Sequence, residues 1–227
     1  MIQDREINNE LLIDFFTDFN NKIYDVKTNT GVDGNLGAEA IRFLLTELFV
    51  VTNALFLKYK RWDLLEVVID NFYYDYQRNK DVGFVAFRHP TRFIFNGKIE
   101  KEKKRVSLTA DLMKERALEK EFKEIVEMDL VLHFISRINP TPKHNLYSNW
   151  FPITHIYLEI IDGRLNFFNL LKSQRTLNNL LPLFGVPEEE LKEKVRNVKS
   201  ETGYSNSWTS IPSFESFIKA DEIGSTK

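Results

Sequence analysis

Cysteine is absent from this chain of 227 residues, and glycine and proline are scarce. Without cysteine, the chain has no disulfide, no thiolate metal ligand and no cysteine nucleophile. No Asn-x-Ser/Thr acceptor site for N-glycosylation, with x other than proline, occurs either. With only 9 Gly and 7 Pro, a loop-rich or low-complexity chain is excluded. We therefore expect a regularly folded protein that resides in the reducing cytoplasm.

A net excess of charge is also missing. Lys and Arg together number 31 and Asp and Glu 33, so the formal net charge is -2. This balance excludes a globally basic nucleic-acid coat protein and an acidic disordered tail. The chain has 19 Phe, 8 Tyr and 3 Trp, and this richness in aromatic residues indicates a dense core. The length predicts one or two domains.

Long hydrophobic runs do not occur. The first residues are charged and lack the basic start, apolar stretch and cleavage site of a signal peptide, so we expect none. The most apolar run, 43–57, contains four polar residues and is shorter than the roughly 20 residues that cross a bilayer. We expect this run to be a buried helix, and we expect no membrane partner.

Apolar residues recur along most of the chain with the spacing of one helix face. The fold class predicted from this periodicity is all-α, a predominantly helical bundle. Ser107 and Ser173 are typical N-caps, and Gly185 is a typical helix end. The predicted helices cover residues 7–23, 36–59, 62–76, 107–139, 174–184 and a last helix from 188.

A short β-hairpin is an alternative prediction for two segments, and a third segment predicts a domain boundary. Asn-Gly within residues 91–100 and Asp-Gly within residues 155–168 are both hairpin signals, although we favour a helix for the second. The proline-containing loop before residue 153 divides the chain into a helical bundle domain, 1–145, and a helical C-terminal subdomain, 146–227, packed on it. A single domain is the alternative.

The near-neutral total hides a basic, aromatic segment at residues 80–105. This segment has 8 cationic and 3 anionic residues, whereas residues 1–79 have 8 and 13. Aromatic rings among cations are typical of surfaces that bind single-stranded nucleic acid, and cations alone suit an acidic protein partner. The alternative, which we favour, is a solvated loop whose Phe residues anchor it to the core. The candidate contact residues are Phe87, Arg88, His89, Arg92, Lys101, Lys103, Lys104 and Arg105.

Arg137 and His144 are separated by six residues, which resembles the catalytic spacing of HEPN ribonucleases, small helical cytoplasmic domains. The resemblance implies that His144 is a general base for a ribose 2'-hydroxyl and that Arg137 stabilises the charge of the transition state. Pro140 and Pro142 stand between the two residues, where the family's motif starts a helix. A surface loop without catalysis is therefore the interpretation we favour.

Metal and cofactor chemistry have weaker support. The four histidines, at positions 89, 133, 144 and 155, include no pair with a metal-ligand spacing such as HExxH. Asp129 and His133 are four residues apart on a predicted apolar helix and can lie on one face. We expect this pair to be a satisfied buried hydrogen bond in place of half of a metal site, and we predict no cofactor.

The sequence RVSLTADLMKER, followed by an acidic helix and then DLVLHF, resembles helical domains in bacterial conflict and anti-phage defence proteins. The resemblance covers residues 105–134 at most. It implies a domain that senses or assembles beside a separate effector module and has no catalytic activity of its own. The matched positions are Arg105, Ser107, Asp111, Lys114, Glu115 and Arg116.

No complete catalytic set is present, so enzyme activity is the less favoured interpretation. We expect a non-catalytic, bacterial interaction or regulatory module that binds a protein partner or itself within a larger, defence-related assembly. The alternative is a helical protein that binds RNA or another nucleic acid, with or without HEPN-like cleavage.

Overall fold

The computed structural model describes residues 7–29, 34–88, 107–139, 149–161, 165–202 and 210–227, and structural statements below concern these residues. The fold is mainly α-helical, which confirms the predicted fold class. The α-helices are α1 (Asn9–Asn29), α2 (Gly34–Lys58), α3 (Trp62–Asp70), α4 (Leu108–Arg116), α5 (Glu119–Ile138), α6 (Asn166–Leu170), α7 (Gln174–Phe184) and α8 (Glu188–Asn197). Two short antiparallel strand pairs join β1 (Tyr73–Asp75) with β2 (Lys80–Val82) and β3 (Glu201–Thr202) with β4 (Ser210–Ile211). Short 3-10 helices cover Phe84–Phe87, Ile153–Ile161, Phe214–Ser216 and Ala220–Glu222.

Helices α1 and α2 pack against each other around aromatic side chains. Phe16 of α1 is fully buried, and its ring meets the Phe49 ring of α2 edge to face at 5.2 Å. The Phe49 ring lies 5.2 Å from that of Phe87 and 5.9 Å from that of Trp150. The predicted amphipathic stripe of α1 is thus the seam of an aromatic core, which such edge-to-face pairs stabilise beyond their buried area.

The predicted third helix is too long. Helix α3 ends at Asp70, and the chain then forms a hairpin with Tyr73 paired to Val82. The buried Asp75 carboxyl group fixes the turn, because it accepts a hydrogen bond from the Arg78 amide at 3.0 Å and pairs with the Arg78 guanidinium at 3.1 Å. Asn79 takes the left-handed conformation, with φ 48, that closes the turn.

The described parts of the second candidate hairpin, residues 155–161 and 166–168, are helical. A 3-10 helix covers Ile153–Ile161, and α6 follows, so the candidate hairpin at 155–168 is wrong and the favoured helix is confirmed. The other candidate hairpin, at 91–100, lies outside the described residues.

Local capping signals start helices after Ser107 and Ser173 as predicted, although the predicted helix 107–139 is broken at Ala117 and Leu118 into α4 and α5. The Ser107 hydroxyl accepts a hydrogen bond from the Ala110 amide at 3.2 Å, and the Ser173 hydroxyl starts α7 in the same way. Gly185 ends α7 with φ 63, and a Cβ there would lie 2.7 Å from the Asn139 amide. Glycine is therefore required at this helix end both by conformation and by space.

The core is continuous across the predicted boundary near residue 145. Buried residues from Phe16 to Ile223 form one cluster, in which the Phe134 ring lies 4.4 Å from the Phe214 ring. The division into two subdomains remains a prediction. Among the described helices, the span Ala38–Lys58 within α2 has the length and composition of a membrane-crossing segment, and 56% of its apolar 18-residue window is buried inside the protein.

Candidate functional site

A groove runs beside α2, where the helix faces α4 and α5. Leu48, Val51 and Leu55 follow one another at the spacing of one helix face, and Leu48 and Leu55 keep 38% and 42% of their surface exposed. The groove has a volume of about 310 Å³. We call it the α2–α5 groove, and its lining is Glu47, Leu48, Val51, Ala54, Leu55, Met113, Arg116, Ala117, Glu121, Glu124 and Ile125.

The rim of the α2–α5 groove is acidic. It carries the carboxylates of Glu47, Glu121 and Glu124 against the single guanidinium of Arg116. Arg116 pairs with Glu47 at 3.1 Å, and Glu124 pairs with Lys58 at 2.9 Å. Burial raises the pKa of Glu47, and the nearby Arg116 partly offsets this rise. After these two ion pairs, the carboxylate of Glu121 leaves the rim with a net negative charge.

A second cavity lies across the Lys58–Glu124 ion pair from the α2–α5 groove, and both share Ala54 and Glu124. Its volume is about 400 Å³. It combines apolar side chains with two lysines, two carboxyl groups and two amides. We call it the Glu127 pocket, and its lining is Ala54, Leu57, Lys58, Lys60, Glu124, Glu127, Asn166, Asn169 and Leu170.

Glu127 is the most perturbed group in this pocket. Its side chain is 6% exposed, and one carboxyl oxygen accepts a hydrogen bond from the Phe167 amide at 2.5 Å. Burial raises the pKa of Glu127 to about 7, the nearby Glu124 adds to the rise, and the Phe167 bond opposes it. A carboxyl group with such a pKa inside a cavity is a candidate binding or acid-base group.

The predicted buried pair, Asp129 and His133, converges on Trp150. The Asp129 carboxylate accepts hydrogen bonds from the Trp150 indole at 2.7 Å and from both the amide and the hydroxyl of Thr154 at 2.8 Å. The His133 Nδ1–H donates to the Trp150 carbonyl at 2.7 Å, which fixes the ring tautomer. Both side chains are buried and hydrogen-bonded as expected, and their partners belong to the segment after residue 148, which these bonds hold against α5.

The pKa of Asp129 is raised in spite of the hydrogen bonds that its carboxylate accepts. Burial raises its pKa to about 6, although the hydrogen bonds from Thr154 and Trp150 favour the charged form. Its side chain is fully buried, so the carboxylate serves the fold. No group of three or more His, Cys, Asp and Glu residues suited to a metal ion is found among the described parts of the chain.

Arg88 and Arg137, which belong to two different predicted sites, both donate hydrogen bonds to Asn149. Arg88 donates to the Asn149 carbonyl at 2.9 Å. Arg137 donates to the Asn149 side-chain oxygen at 2.9 Å when the amide is oriented so that its nitrogen donates to Ser136. The proposed partner of Arg137, His144, lies outside the described residues. Arg88 and Arg137 therefore position Asn149, directly before Trp150.

Phe87 does not fit the role of a contact residue. Its ring is fully buried, 4.5 Å from the Tyr73 ring and 5.2 Å from the Phe49 ring. A ring without exposed surface cannot stack on a base, so this assignment is corrected in favour of anchoring to the core. The other candidate contact residues, His89, Arg92, Lys101, Lys103, Lys104 and Arg105, lie outside the described residues.

Sequence reasoning missed both cavities. The run 43–57 was predicted to be a buried helix, and most of its apolar residues are buried, but Leu48 and Leu55 remain exposed because no neighbouring element of the described chain covers that side of α2. The unusual feature of Lys60 is its left-handed backbone conformation, with φ 56, and this conformation is visible only in the structure. Nothing in the sequence distinguishes Glu127 from the other carboxylates of its helix.

Comparison with known proteins adds no relative. No protein-family model matches the chain, and no curated protein or solved structure is significantly similar to it.

Proposed function

We propose that this protein is a non-catalytic interaction module that binds a helical segment of a protein partner in the α2–α5 groove. The observation that carries the proposal is the exposed apolar stripe of Leu48 and Leu55 inside a groove with an acidic rim. Grooves between helices commonly receive the apolar face of an amphipathic helix.

The chemistry of the groove defines the partner. Leu48, Val51 and Leu55 offer an apolar floor for side chains spaced three and four residues apart on the partner. Glu47, Glu121 and Arg116 leave the rim with net negative charge, which favours lysine and arginine beside those anchors and disfavours acidic helices. The expected ligand is therefore a basic amphipathic helix.

The resemblance of residues 105–134 to defence-protein helical domains agrees with this role. Met113, Arg116 and Ala117 of that segment line the groove. A module that assembles with an effector, without catalysis of its own, needs a surface of this kind. We propose on this basis that the partner belongs to a larger bacterial defence assembly in the cytoplasm.

The test uses a fluorescent peptide of about four helical turns, with Leu at one face and Lys elsewhere, and a Leu/Glu counterpart. Anisotropy titrations should show the Leu/Lys peptide binding at least about tenfold more tightly than the Leu/Glu peptide. Leu48→Asp places a charge on the apolar floor and should weaken binding about tenfold or more.

Leu11→Asp is the matched control, since Leu11 is 66% exposed on α1, outside the groove lining. It should leave peptide binding unchanged. Equal affinity for both peptides, or a Leu48→Asp variant that binds like the wild type, would refute the proposal. So would light scattering that shows a dimer broken by Leu48→Asp, because a second copy would then occupy the groove.

Nucleic-acid binding through the basic segment remains the alternative. It predicts that affinity for single-stranded RNA falls steeply with salt, because protein cations release counterions from the phosphates. RNA binding of this kind that is unaffected by Leu48→Asp, together with no peptide binding, would replace the first proposal. Cleavage of RNA that is lost in His144→Ala would add the HEPN-like activity.

A further inference from the structure

We propose that the Glu127 pocket binds a small zwitterion of the amino-acid class, with its ammonium group at Glu127 and its carboxylate at Lys60. The pocket is separate from the apolar stripe of the α2–α5 groove, so this inference does not depend on the proposed function.

The size and lining of the pocket suit a small polar molecule with an apolar body. Its volume, about 400 Å³, lies in the range of ligand-binding cavities. Ala54, Leu57 and Leu170 supply apolar surface, and the amides of Asn166 and Asn169 supply both donors and acceptors. Few polar groups among apolar ones are typical of a site that orients its ligand.

Lys60 is placed at the pocket by a backbone conformation that normally belongs to glycine. Helix α2 ends in a Schellman motif, in which the Arg61 amide donates to the Phe56 carbonyl at 2.9 Å and the Lys60 amide to the Leu57 carbonyl at 3.2 Å. Lys60 occupies the left-handed position of this motif with φ 56. A strained residue that persists where glycine would fit indicates a use for its side chain.

The Lys60 ammonium is available to an anion. Within the described part of the chain, it forms no ion pair, whereas the neighbouring Lys58 is paired with Glu124 at 2.9 Å. A ligand carboxylate at Lys60 would add a charge-assisted hydrogen bond without breaking an existing one.

Glu127 is the complementary group for a cation. The Phe167 amide holds one of its carboxyl oxygens at 2.5 Å, which fixes the orientation of the group. A carboxylate has further acceptor sites beyond that bond. Burial disfavours its charge, as the raised pKa shows, and a bound ammonium group would compensate for this cost.

The two charges together select a zwitterion over a simple ion. Lys58 and Glu124 neutralise each other, which leaves in the same cavity the Lys60 ammonium and the Glu127 carboxyl group, an anion once it is ionised above its raised pKa. An amine alone would gain nothing from Lys60, which is exposed and stays solvated by water, and a carboxylic acid alone would meet the repulsion of the ionised Glu127. Only a molecule with both groups satisfies both side chains.

The test uses L-leucine as the probe, with 3-methylbutylamine and 4-methylpentanoate as analogues that each lack one charge. Titration calorimetry on the full chain should show leucine binding with a Kd on the order of a millimolar or tighter. Each analogue should bind at least about tenfold more weakly, because one charge-assisted contact is lost.

Two variants connect the binding to the pocket. Lys60→Gly keeps the backbone conformation and removes the ammonium group, and Glu127→Gln removes the negative charge; each should weaken leucine binding about tenfold or more. Lys120→Gln, on the exposed side of α5, is the matched control and should bind leucine as the wild type does. If Glu127→Gln fails to fold, Lys60→Gly still decides the question.

Three results would overturn the inference: no heat of binding with leucine at millimolar concentration, equal affinity for leucine and either analogue, or full binding by Lys60→Gly. Each of these leaves the peptide experiments on the α2–α5 groove unaffected, so the two proposals fail separately.

Discussion

Glu127 couples the stability of this protein to pH, and the size of the coupling follows from its burial. The pKa of its carboxyl group rises from an ordinary 4.5 to about 7 in the folded protein. Between these two values the folded state holds a proton that the unfolded chain releases. The free energy of unfolding contributed by Glu127 is therefore fully present below pH 4.5 and is lost as the pH rises through about 7.

The loss over this window amounts to about 3 kcal/mol, since each unit of pKa difference corresponds to about 1.4 kcal/mol. Glu127→Gln should remove it, because glutamine does not titrate and its amide oxygen still accepts the hydrogen bond from the Phe167 amide. The difference in free energy of unfolding, variant minus wild type, should therefore be larger at about pH 8 than at about pH 5.

Urea unfolding of both proteins at the two pH values measures this difference. Asp129 contributes in the same direction, because burial raises its pKa to about 6, so the variant should keep part of the pH dependence. Glu193→Gln, an exposed position on α8, is the control and should follow the wild type. If Glu127→Gln and the wild type lose the same stability between the two pH values, the buried, proton-holding state of Glu127 is refuted.

Two further predictions concern single residues. Lys60→Gly should raise the free energy of unfolding by about 1 kcal/mol, because glycine adopts the left-handed conformation at φ 56 without strain, and a thermal melt that shows a loss would contradict the assignment of strain. Asp129→Ala should lower the free energy of unfolding by about 3 kcal/mol or more, because the Trp150 indole and the Thr154 amide lose their buried acceptor. Denaturant unfolding followed by Trp fluorescence measures this loss. A loss below about 1 kcal/mol would show that these hydrogen bonds contribute little to stability.

The helices with local signals were predictable from the sequence. Ser107 and Ser173 bind amides three residues ahead, and Gly185 ends a helix through its own backbone freedom, so each signal acts within one turn. The hairpin after α3 was missed because Tyr73 and Tyr76 also fit a helical spacing. Its position depends on Asn21, which accepts from the Tyr76 amide at 3.0 Å across more than fifty residues of sequence.

The candidate site was harder to predict from the sequence, because it too depends on contacts between residues that are far apart in the chain. That Asp129 and His133 make buried hydrogen bonds followed from their apolar neighbours, but their common partner, Trp150, is distant in sequence. Exposure of Leu55 reverses what its apolar neighbours in the sequence suggest, whereas burial of Phe87 agrees with the favoured interpretation that the Phe residues of its segment anchor to the core. Both depend on which elements cover α2, and no local pattern encodes that packing.

The ion pair between Lys58 and Glu124 has a thermodynamic consequence for the two cavities that it separates. Glu124 and Ala54 belong to the walls of both, so occupants of the α2–α5 groove and of the Glu127 pocket would touch the same side chains. Any energetic communication between them must be reciprocal: the factor by which a bound helix changes the affinity for the zwitterion equals the factor by which the zwitterion changes the affinity for the helix. One bridging pair of charges would then let a small metabolite set the strength of a protein assembly.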